Sequence, residues 1–319
     1  MKTIDWILVL AVAALPITAS SQSYPNRSVR MVVPFTSGTG TDVSARVLAQ
    51  QLSLSLGQPF VVDNKPGAGG SIGAMEVVRA APDGYTLLFG SSSALAANVA
   101  LLKNMPYDPI KDLSPIAGVA DSVTALVVRS GFPAKTIEEF VAYVKQRPGK
   151  INAGYGSSST QMSIAVLSKL AGLNVVAVPY KGVPLAVNDL LGGTLDFIFA
   201  DLGNVLPHVK AGTLHGIGIT SAKRSELVPA WPSLSEAFVG FEDITGWIAI
   251  AGPAGLPKDV AGKLALNTSQ ALTQPEVKNR LALFGLAPMP MAPETLKAFM
   301  ATEVPKWKRL ANEAHIQPE

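Results

Sequence analysis

The stretch VVPFTSGTGTDVSAR, residues 32–46, passes from an apolar segment typical of a strand, through glycines and hydroxyls, into a segment typical of a helix. The pattern predicts a strand at residues 29–35, then a helix with Thr41 or Asp42 as its N-cap and Gly57 at its end. A glycine-rich turn between a strand and a helix holds a nucleotide phosphate, holds another anion, or only redirects the chain. The rest of the sequence narrows these alternatives.

Length and composition narrow the class of protein. The chain has 319 residues, of which 48% are hydrophobic and 15% charged, enough for one large domain or two medium ones. Its formal net charge is only +3 and no run of Lys or Arg forms a patch, which argues against nucleic-acid binding. Because it has no cysteine, the sequence excludes a thiol nucleophile, a thiolate metal site and a lipid anchor on cysteine.

Residues 1–23 have the features of a secretory signal peptide. An early lysine precedes an apolar run at residues 6–15, and small residues follow that run. The pattern Ser-Gln-Ser at residues 21–23 predicts cleavage before Tyr24. The apolar run is too short for the alternative, an uncleaved membrane anchor. We therefore expect export to the periplasm and a free, soluble mature protein.

The residues that follow alternate between apolar strand-like runs and amphipathic helix-like ones. The segment TIEEFVAYVKQRPG, for example, begins with a capping box of Thr136 and Glu139, and LDFIFA and LHGIGIT are later strand-like runs. After GWIAIAGP at residues 246–253 the pattern is helical to the end. Such alternation predicts an α/β fold with parallel sheets covered by helices on both faces.

Two segments share the order strand, hydroxyl-rich loop, helix start. They run from Phe35 to Asp42 and from Tyr155 to Gln161. One lies near the predicted mature start and the other near the middle of the chain. Two lobes that each present a helix N-terminus to a shared cleft would account for both.

Nucleotide-binding and hydrolase motifs are absent. No string matches the phosphate-binding loop GxxxxGK[ST], and SGTGTDV and GAGGSIG each lack the third glycine of the dinucleotide fingerprint. The nucleophile elbow GxSxG is also missing. The histidines, His208, His215 and His315, do not have zinc-binding spacing. A catalytic triad assembled in space from a serine of residues 157–159 stays open at this point.

Small-anion binding remains as the chemistry that these loops can perform. The first turn of a helix offers unpaired backbone N–H groups and the positive end of the helix dipole, so a carboxylate can bind there without arginine. Hydroxyls add donors; those of the two loops are Thr36, Ser37, Thr39, Thr41, Ser157, Ser158, Ser159 and Thr160. Asp42 has two interpretations, a structural N-cap or a contact to a donor on the ligand.

Several long blocks of the sequence resemble one family. They include LGQPFVVDNKPGAGGSIGAMEVVRAAPDGYTLLFGSSS, MPYDPIKDLSPIAGVA, VPYKGVPLAVNDLLGGTLDFIFAD and AGPAGLPKDVAGKLALNTSQAL, in this order. They are similar to blocks of the tripartite tricarboxylate transporter substrate-binding proteins, also called Bug proteins. The resemblance covers nearly all residues from 24 onward. It implies a type II periplasmic binding-protein fold, with two α/β lobes joined by crossing hinge strands and a ligand cleft between them.

The resemblance also implies a division into lobes and a set of binding residues. Lobe 1 would comprise residues 24–124 plus 246–319, and lobe 2 residues 125–245. The ligand would be a small carboxylate, namely a di- or tricarboxylate or an aromatic acid, held largely by loop backbone and water. The expected ligand-binding residues are Phe35, Thr36, Ser37, Thr39, Gly40, Thr41, Asp42, Gly67, Ala68, Ser91, Ser92, Ser157, Ser158, Ser159, Thr160, Gln161, Tyr180 and Asp201.

One departure from the family pattern falls in the first loop. The family often has Pro-Phe-x-Pro-Gly-Gly there, whereas this chain has Ser37 in place of the second proline and Thr39 where glycine is usual. We expect this difference to change the ligand or to weaken its binding. No arginine clamp is expected, because Arg46 lies one turn into its helix and Lys65 and Lys181 lie at loop edges. A ligand with one or two carboxylates is therefore favoured.

The expected function is capture of the carboxylate and its delivery to the permease subunits of a membrane transporter. The protein would act as a monomer, without cofactor, metal, nucleic acid or covalent chemistry. Two alternatives remain: a ligand-presenting partner of a membrane sensor, and a periplasmic hydrolase that uses a serine of residues 157–159. A histidine or lysine within hydrogen-bond reach of that serine would support the hydrolase.

Overall fold

The computed structural model describes residues 24–318, so the predicted signal peptide lies outside the described residues. In chain order the strands are β1 (Val29–Val33), β2 (Phe60–Asn64), β3 (Thr86–Ser91), β4 (Leu113–Ser122), β5 (Thr124–Arg129), β6 (Asn152–Tyr155), β7 (Val176–Pro179), β8 (Phe197–Asp201), β9 (Leu214–Ile219), β10 (Gly246–Pro253) and β11 (Leu286–Met291). The α-helices are α1 (Gly40–Leu56), α2 (Ser71–Val78), α3 (Asn98–Leu101), α4 (Ile137–Lys145), α5 (Ser158–Ala171), α6 (Val183–Leu191), α7 (Leu202–Lys210), α8 (Leu234–Ala237), α9 (Lys258–Thr273), α10 (Pro275–Ala282) and α11 (Pro293–Glu313). A 3₁₀ turn at Ala68–Gly70 precedes α2, and a π-helical turn at Ser93–Ala97 precedes α3. Within residues 24–318, no helix has the length and apolar character needed to cross a membrane.

The strands form two sheets, one in each lobe of a two-lobe α/β fold. The sheet of lobe 1 has the order β11-β4-β10-β3-β1-β2, and the sheet of lobe 2 has the order β7-β6-β8-β5-β9. The chain enters lobe 2 from β4 to β5 and returns to lobe 1 between β9 and β10. The two-lobe expectation is confirmed. The boundaries at residues 124/125 and 245/246 stay a prediction.

The expectation of purely parallel sheets is wrong, because both sheets are mixed. Strands β1, β2 and β3 pair in parallel, whereas β10 is antiparallel to both β3 and β4. In lobe 2, β6 is parallel to β7 and β8, whereas β5 is antiparallel to β8 and β9. The antiparallel strands lie at the crossings. Since β4 leaves its sheet where β10 enters it, with Ser122 opposite Gly246, the two strands run in opposite directions.

The prediction that residues after 253 are all helical is also wrong. Strand β11, with sequence LAPMPM, pairs antiparallel with β4 at the edge of the sheet. Its two prolines lack the N–H of a ladder hydrogen bond, and an edge is the place in a sheet that tolerates them. The helix-like pattern therefore did not reveal a strand that forms by pairing with β4.

The caps at the helix ends correct one prediction and refine another. The N-cap of α1 is Thr39, whose hydroxyl accepts a hydrogen bond from the Asp42 N–H at 3.3 Å, so Thr41 and Asp42 lie inside the helix. Gly57 ends α1 as predicted, with a left-handed φ of 69°. At α4, Thr136 caps the N–H of Glu139, but the Glu139 carboxylate accepts from the Lys135 N–H, one residue earlier than a capping box requires.

Buried hydrogen bonds join the two crossings of the chain. The Thr220 hydroxyl, fully buried after β9, lies 3.3 Å from the Thr124 carbonyl oxygen and 3.2 Å from that of Ile244. The Thr220 N–H donates to the same Thr124 oxygen at 2.9 Å. These bonds hold the outgoing and returning segments of the chain side by side.

A buried carboxylate fixes α11 to the returning strand. Oε2 of Glu303 accepts hydrogen bonds from the indole nitrogens of Trp247 at 2.9 Å and Trp307 at 3.1 Å, and Oε1 pairs with Lys306 Nζ at 2.9 Å. Glu303 is only 5% exposed. Both indole groups are buried donors, and a buried donor without an acceptor is costly. Glu303 therefore stabilises the contact between α11 and β10.

The first prediction concerns this contact. Glu303→Ala should lower the free energy of unfolding by about 3 kcal/mol, since two buried indole N–H groups lose their acceptor. Glu303→Gln, which keeps an amide oxygen, should lose less. Urea unfolding followed by tryptophan fluorescence measures both, with Glu294→Ala in the exposed first turn of α11 as the control. Equal stability of the Ala variant and the unchanged protein would contradict the assignment.

Candidate functional site

A cavity of about 340 Å³ lies between the lobes. Its walls come from the end of β1, the 3₁₀ turn, α3, the end of β6 with the start of α5, and the end of β7. The lining residues are Pro34, Phe35, Gly67, Ala68, Gly69, Gly70, Asn98, Leu101, Leu102, Tyr155, Gly156, Ser157, Ser158, Gln161, Pro179, Tyr180 and Lys181. The volume is that of a site for a small molecule.

The glycine-rich turn forms the wall of lobe 1. Gly67, Gly69 and Gly70 have φ angles of 136°, 62° and 92°, conformations that favour glycine. A Cβ on Gly70 would also lie 3.2 Å from Cζ of Phe35, so the aromatic ring rests against this turn. Backbone conformation at the three glycines and close packing at Gly70 therefore favour glycine in this turn, and the turn presents main chain to the cavity.

The start of α5 forms the wall of lobe 2. Its hydroxyls form hydrogen bonds that cap the N-terminus of the helix. Ser157 is the N-cap and forms a capping box with Thr160, whose hydroxyl accepts from the Ser157 N–H at 3.1 Å. The Ser159 hydroxyl lies 3.0 Å from that of Ser157. Ser157, Ser158 and Gln161 line the cavity, whereas Ser159 and Thr160 are buried behind it.

A second helix start lies directly against the first. A Cβ on Gly156 would lie 2.3 Å from the Val183 nitrogen and 2.4 Å from the Gly182 carbonyl carbon, so only glycine allows this approach. Gly182 is the N-cap of α6. The positive ends of the α5 and α6 dipoles are therefore adjacent, which favours negative charge at this side of the cavity.

Asn98, which the sequence analysis missed, joins the two walls. Its side-chain oxygen accepts from the Ser158 hydroxyl at 2.7 Å, and its side-chain nitrogen donates to the Gly69 carbonyl at 3.0 Å. The Ser158 N–H donates to the Ser93 hydroxyl at 3.2 Å. Asn98 is only 1% exposed. The signal in the sequence was a single asparagine inside the apolar run ALAANVALL, which helix periodicity alone does not distinguish.

The cavity brings together only some of the predicted residues. Those that line it are Phe35, Gly67, Ala68, Ser157, Ser158, Gln161 and Tyr180. Those outside its lining are Thr36, Ser37, Thr39, Gly40, Thr41, Asp42, Ser91, Ser92, Ser159, Thr160 and Asp201. Lys181, set aside as a loop-edge residue, lines it. Ligand contact stays a prediction for every member of these sets.

Asp42 has a structural role in the first loop. Its carboxylate accepts hydrogen bonds from the Gly38 N–H at 3.0 Å, Arg46 Nε at 3.1 Å and Asn64 Nδ2 at 2.9 Å, and it is 2% exposed. Burial by itself would raise the pKa of Asp42, but these hydrogen bonds and the Arg46 charge outweigh it and hold the pKa below its usual value. The N-cap interpretation of Asp42 is therefore wrong, because Thr39 is the N-cap; the carboxylate instead accepts hydrogen bonds within the first loop, and contact with a ligand stays a prediction.

Asp201 lies at the crossing of the chain. Its Oδ1 accepts from the Ser122 hydroxyl at 2.7 Å, and Asp201 pairs with Thr124 in the ladder between β8 and β5. Burial raises the pKa of Asp201, against the opposing effect of the Ser122 hydrogen bond. The residue therefore belongs to the connection between the lobes, since the start of β5 and the end of β4 hold it there.

The hydrolase alternative requires a histidine or lysine that is hydrogen-bonded to a serine of residues 157–159. Among the described residues, the hydrogen bonds of Ser157, Ser158 and Ser159 involve neither histidine nor lysine. His215 Nε2 lies 3.1 Å from the Lys135 carbonyl oxygen, away from the cavity. No group of three or more metal-ligating side chains occurs in residues 24–318.

The second prediction uses the pKa of Asp42. Because the folded state lowers this pKa, the ionised carboxylate contributes stability above the unfolded value of about 4, and loses it as pH falls through the folded value. Asp42→Asn should therefore cost about 2 kcal/mol of unfolding free energy near pH 7. The difference in unfolding free energy between Asp42→Asn and the unchanged protein should narrow below about pH 4.

Urea unfolding at pH values between neutral and acidic measures this gap. The control is Asp259→Asn, an exposed acid in the first turn of α9. A constant gap for the Asp42 variant over the whole series would contradict the electrostatic account.

The sequence and the fold of this chain are similar to those of known proteins. A family model described as tripartite tricarboxylate transporter family receptor matches residues 44–316. The protein BugT of Bordetella pertussis is 34% identical over 311 residues, which are 96% of this chain and 95% of that protein. Among solved structures, a Rhodopseudomonas palustris protein with adipate has a TM-score of 0.89 and 30% identity, covering 93% of this chain and 100% of that one. MatC from the same organism, with bound malate, has a TM-score of 0.85 and 32% identity, covering 90% of this chain and 99% of that one.

Proposed function

This chain belongs to the tripartite tricarboxylate transporter receptor family, whose members are periplasmic substrate-binding receptors and not enzymes, and we propose that it captures a small carboxylate between its lobes. The observation that carries the proposal is the wall formed by Gly156, Ser157 and the adjacent starts of α5 and α6. Two helix dipoles present positive ends there, and no acidic side chain lines the cavity within the described residues. The similar proteins with adipate and malate support the same chemistry.

The affinity would arise from the two helix dipoles and from closure, with Lys181 as the single cation among the described residues that line the cavity. The N–H groups of Gly156, Ser157 and Ser158 already donate to hydroxyls. The helix dipoles would therefore attract the anion, and more strongly when water is excluded, because the effective dielectric constant falls. The expected binding residues are the predicted residues that line the cavity, together with the main chain of Gly69, Gly70 and Gly156. Phe35 and Leu101 would cover the apolar part of the ligand.

Capture requires that the lobes open and close. We propose the lobe boundaries given by the sequence, 24–124 plus 246–319 and 125–245, since both lie beside the hydrogen-bonded crossing at Thr220. The bonds from Ser158 to Asn98 and Ser93 then join opposite lobes and would have to break on opening. A ligand favours closure to the extent that it binds the closed state more tightly.

The proposal extends to location and partner. We propose that residues 1–23 are a signal peptide removed before Tyr24, and that the mature protein delivers its ligand to the permease subunits of a tripartite transporter. We also propose that it acts as a monomer, since one chain supplies both walls of the cavity.

The third prediction tests carboxylate binding. Residues 24–319 are refolded to remove any bound ligand and heated with adipate, malate, citrate, benzoate and the corresponding amides. A ligand at about a hundred times its Kd should add about 2.7 kcal/mol of stability. We expect at least one carboxylate to raise the unfolding temperature and its amide to leave the unfolding temperature unchanged. The absence of a shift with every carboxylate would refute the proposed function.

The fourth prediction tests closure. Asn98→Ala removes the bond from Ser158, which joins the proposed lobes, as well as the bond to Gly69 within lobe 1. Carboxylate affinity should fall about tenfold, because the closed state loses the bond between the lobes. Calorimetric titration measures the affinity, and small-angle scattering should show that more ligand is needed for compaction. Asn267→Ala on α9, which removes a local bond to the Lys263 carbonyl, is the matched control. Unchanged affinity in the Asn98 variant would contradict the role.

A further inference from the structure

We propose that Gly203 is a positioning residue, which sets the angle at which the two lobes meet around the ligand. This inference rests on the proposed function and deepens it. Gly203 lies in the first turn of α7, which follows β8 of the second sheet. It packs against the turn at residues 284–285, which precedes β11 of the first sheet. The contact therefore joins the two lobes, and its residues lie outside the lining of the cavity.

The contact is close enough that only glycine fits on either side. A Cβ on Gly203 would lie 2.3 Å from the Phe284 carbonyl oxygen and 2.4 Å from Phe284 Cα. From the other side, a Cβ on Gly285 would lie 2.4 Å from Leu202 Cβ and 3.0 Å from the Gly203 nitrogen. None of these atoms belongs to the flexible end of a side chain, so a change of rotamer does not make room for a Cβ.

Hydrogen bonds hold both backbones of this contact in place. In lobe 2, the Leu202 N–H donates to the Val123 carbonyl oxygen at 3.1 Å, and the Leu202 side chain is fully buried. In lobe 1, the N–H groups of Phe284 and Gly285 donate to the last turn of α10 at 2.9 Å and 3.0 Å, and Leu286 then begins β11. A Cβ in this contact is therefore accommodated by a change in how the lobes meet.

Local structure does not explain the glycine at position 203. Its φ lies outside the left-handed region, and alanine is a better helix former than glycine. Gly285, by contrast, has a φ of 67°, which favours glycine by itself. The close approach to Phe284 is therefore the constraint at position 203, and Gly203→Ala adds a Cβ there without straining its own helix.

The arrangement that such a Cβ disfavours is the one that encloses the cavity. In this arrangement the Ser158 hydroxyl donates to the Asn98 side chain of the other lobe at 2.7 Å. Whichever way the lobes move to make room for the Cβ, this arrangement is populated less. The affinity for a ligand falls with the population of the state that binds it. Because motion of the lobes relieves the contact, the stability of the unliganded protein should change little.

The test places a Cβ on each side of the contact, in Gly203→Ala and in Gly285→Asn, since asparagine tolerates a left-handed φ. The unchanged mature protein and both variants are titrated calorimetrically with adipate, malate, citrate and benzoate. For each carboxylate that the unchanged protein binds, affinity should fall about tenfold in both variants. Small-angle scattering with saturating ligand should show less compaction, and urea unfolding without ligand should give nearly unchanged midpoints.

Two glycines in open surroundings provide matched controls. Gly262→Ala, inside α9, adds the same methyl group as Gly203→Ala. Gly212→Asn, at a left-handed φ of 73°, matches Gly285→Asn. Among the described residues, a Cβ on either control glycine meets no other segment of the chain within 4 Å. Both control variants should keep the carboxylate affinity of the unchanged protein.

Unchanged affinity in Gly203→Ala, or an equal loss of affinity in the controls, would overturn the role of Gly203 while leaving the proposed function intact. If Gly203→Ala does not fold, Gly285→Asn decides in the same way. Failure of both variants to fold would also overturn the role, because the contact would then stabilise the fold and not the angle between the lobes. If the unchanged protein binds none of these carboxylates, the proposed function fails and this inference fails with it.

Discussion

The structure depends on the place where the chain crosses between its two sheets. Strands β4 and β10 pair with Ser122 opposite Gly246, so the outgoing and returning segments leave the sheet of lobe 1 at the same point. The buried Thr220 hydroxyl and N–H then hold these segments together on the side of lobe 2. The residues that follow β1 and the end of β6 line the cavity between the two sheets.

Glycine-rich main chain, and no arginine among the described residues, lines the cavity between the lobes. The facing ends of the strands bring main chain together, and glycine is the residue that allows main chain to approach so closely. Gly156 lets the starts of α5 and α6 touch, while Gly67, Gly69 and Gly70 fold the opposite wall. The positive ends of the α5 and α6 dipoles then favour negative charge there, and capping bonds and packing hold both helix starts in place.

Most polar side chains of the two loops form hydrogen bonds with the backbone around them. Ser157 and Thr160 cap α5, Thr39 caps α1, and Asp42 gathers donors from its own loop and from Asn64. An unpaired backbone N–H at a helix start is as costly as a lost hydrogen bond, so nearby hydroxyls satisfy these groups first. The residues left to face the cavity are therefore fewer than the hydroxyl-rich sequence suggests.

The sequence by itself determined the α/β class and most helix ends, since periodicity, glycines and caps are local signals, whereas the two lobes were implied by the resemblance of its long blocks to the receptor family. The same resemblance indicated Phe35, the GAGG turn and Ser157 with Ser158 together, and these residues line one cavity. The antiparallel strands at the crossing, strand β11, the burial of Asp42 and the places of Asn98 and Lys181 were decided only by the tertiary structure. Each depends on a partner far away in sequence: β4 for β11, Ser158 for Asn98, and Gly156 with Thr36 for the segment of Lys181. The local pattern indicates whether a segment prefers helix or strand, but contacts between distant segments decide which side chains line the cavity.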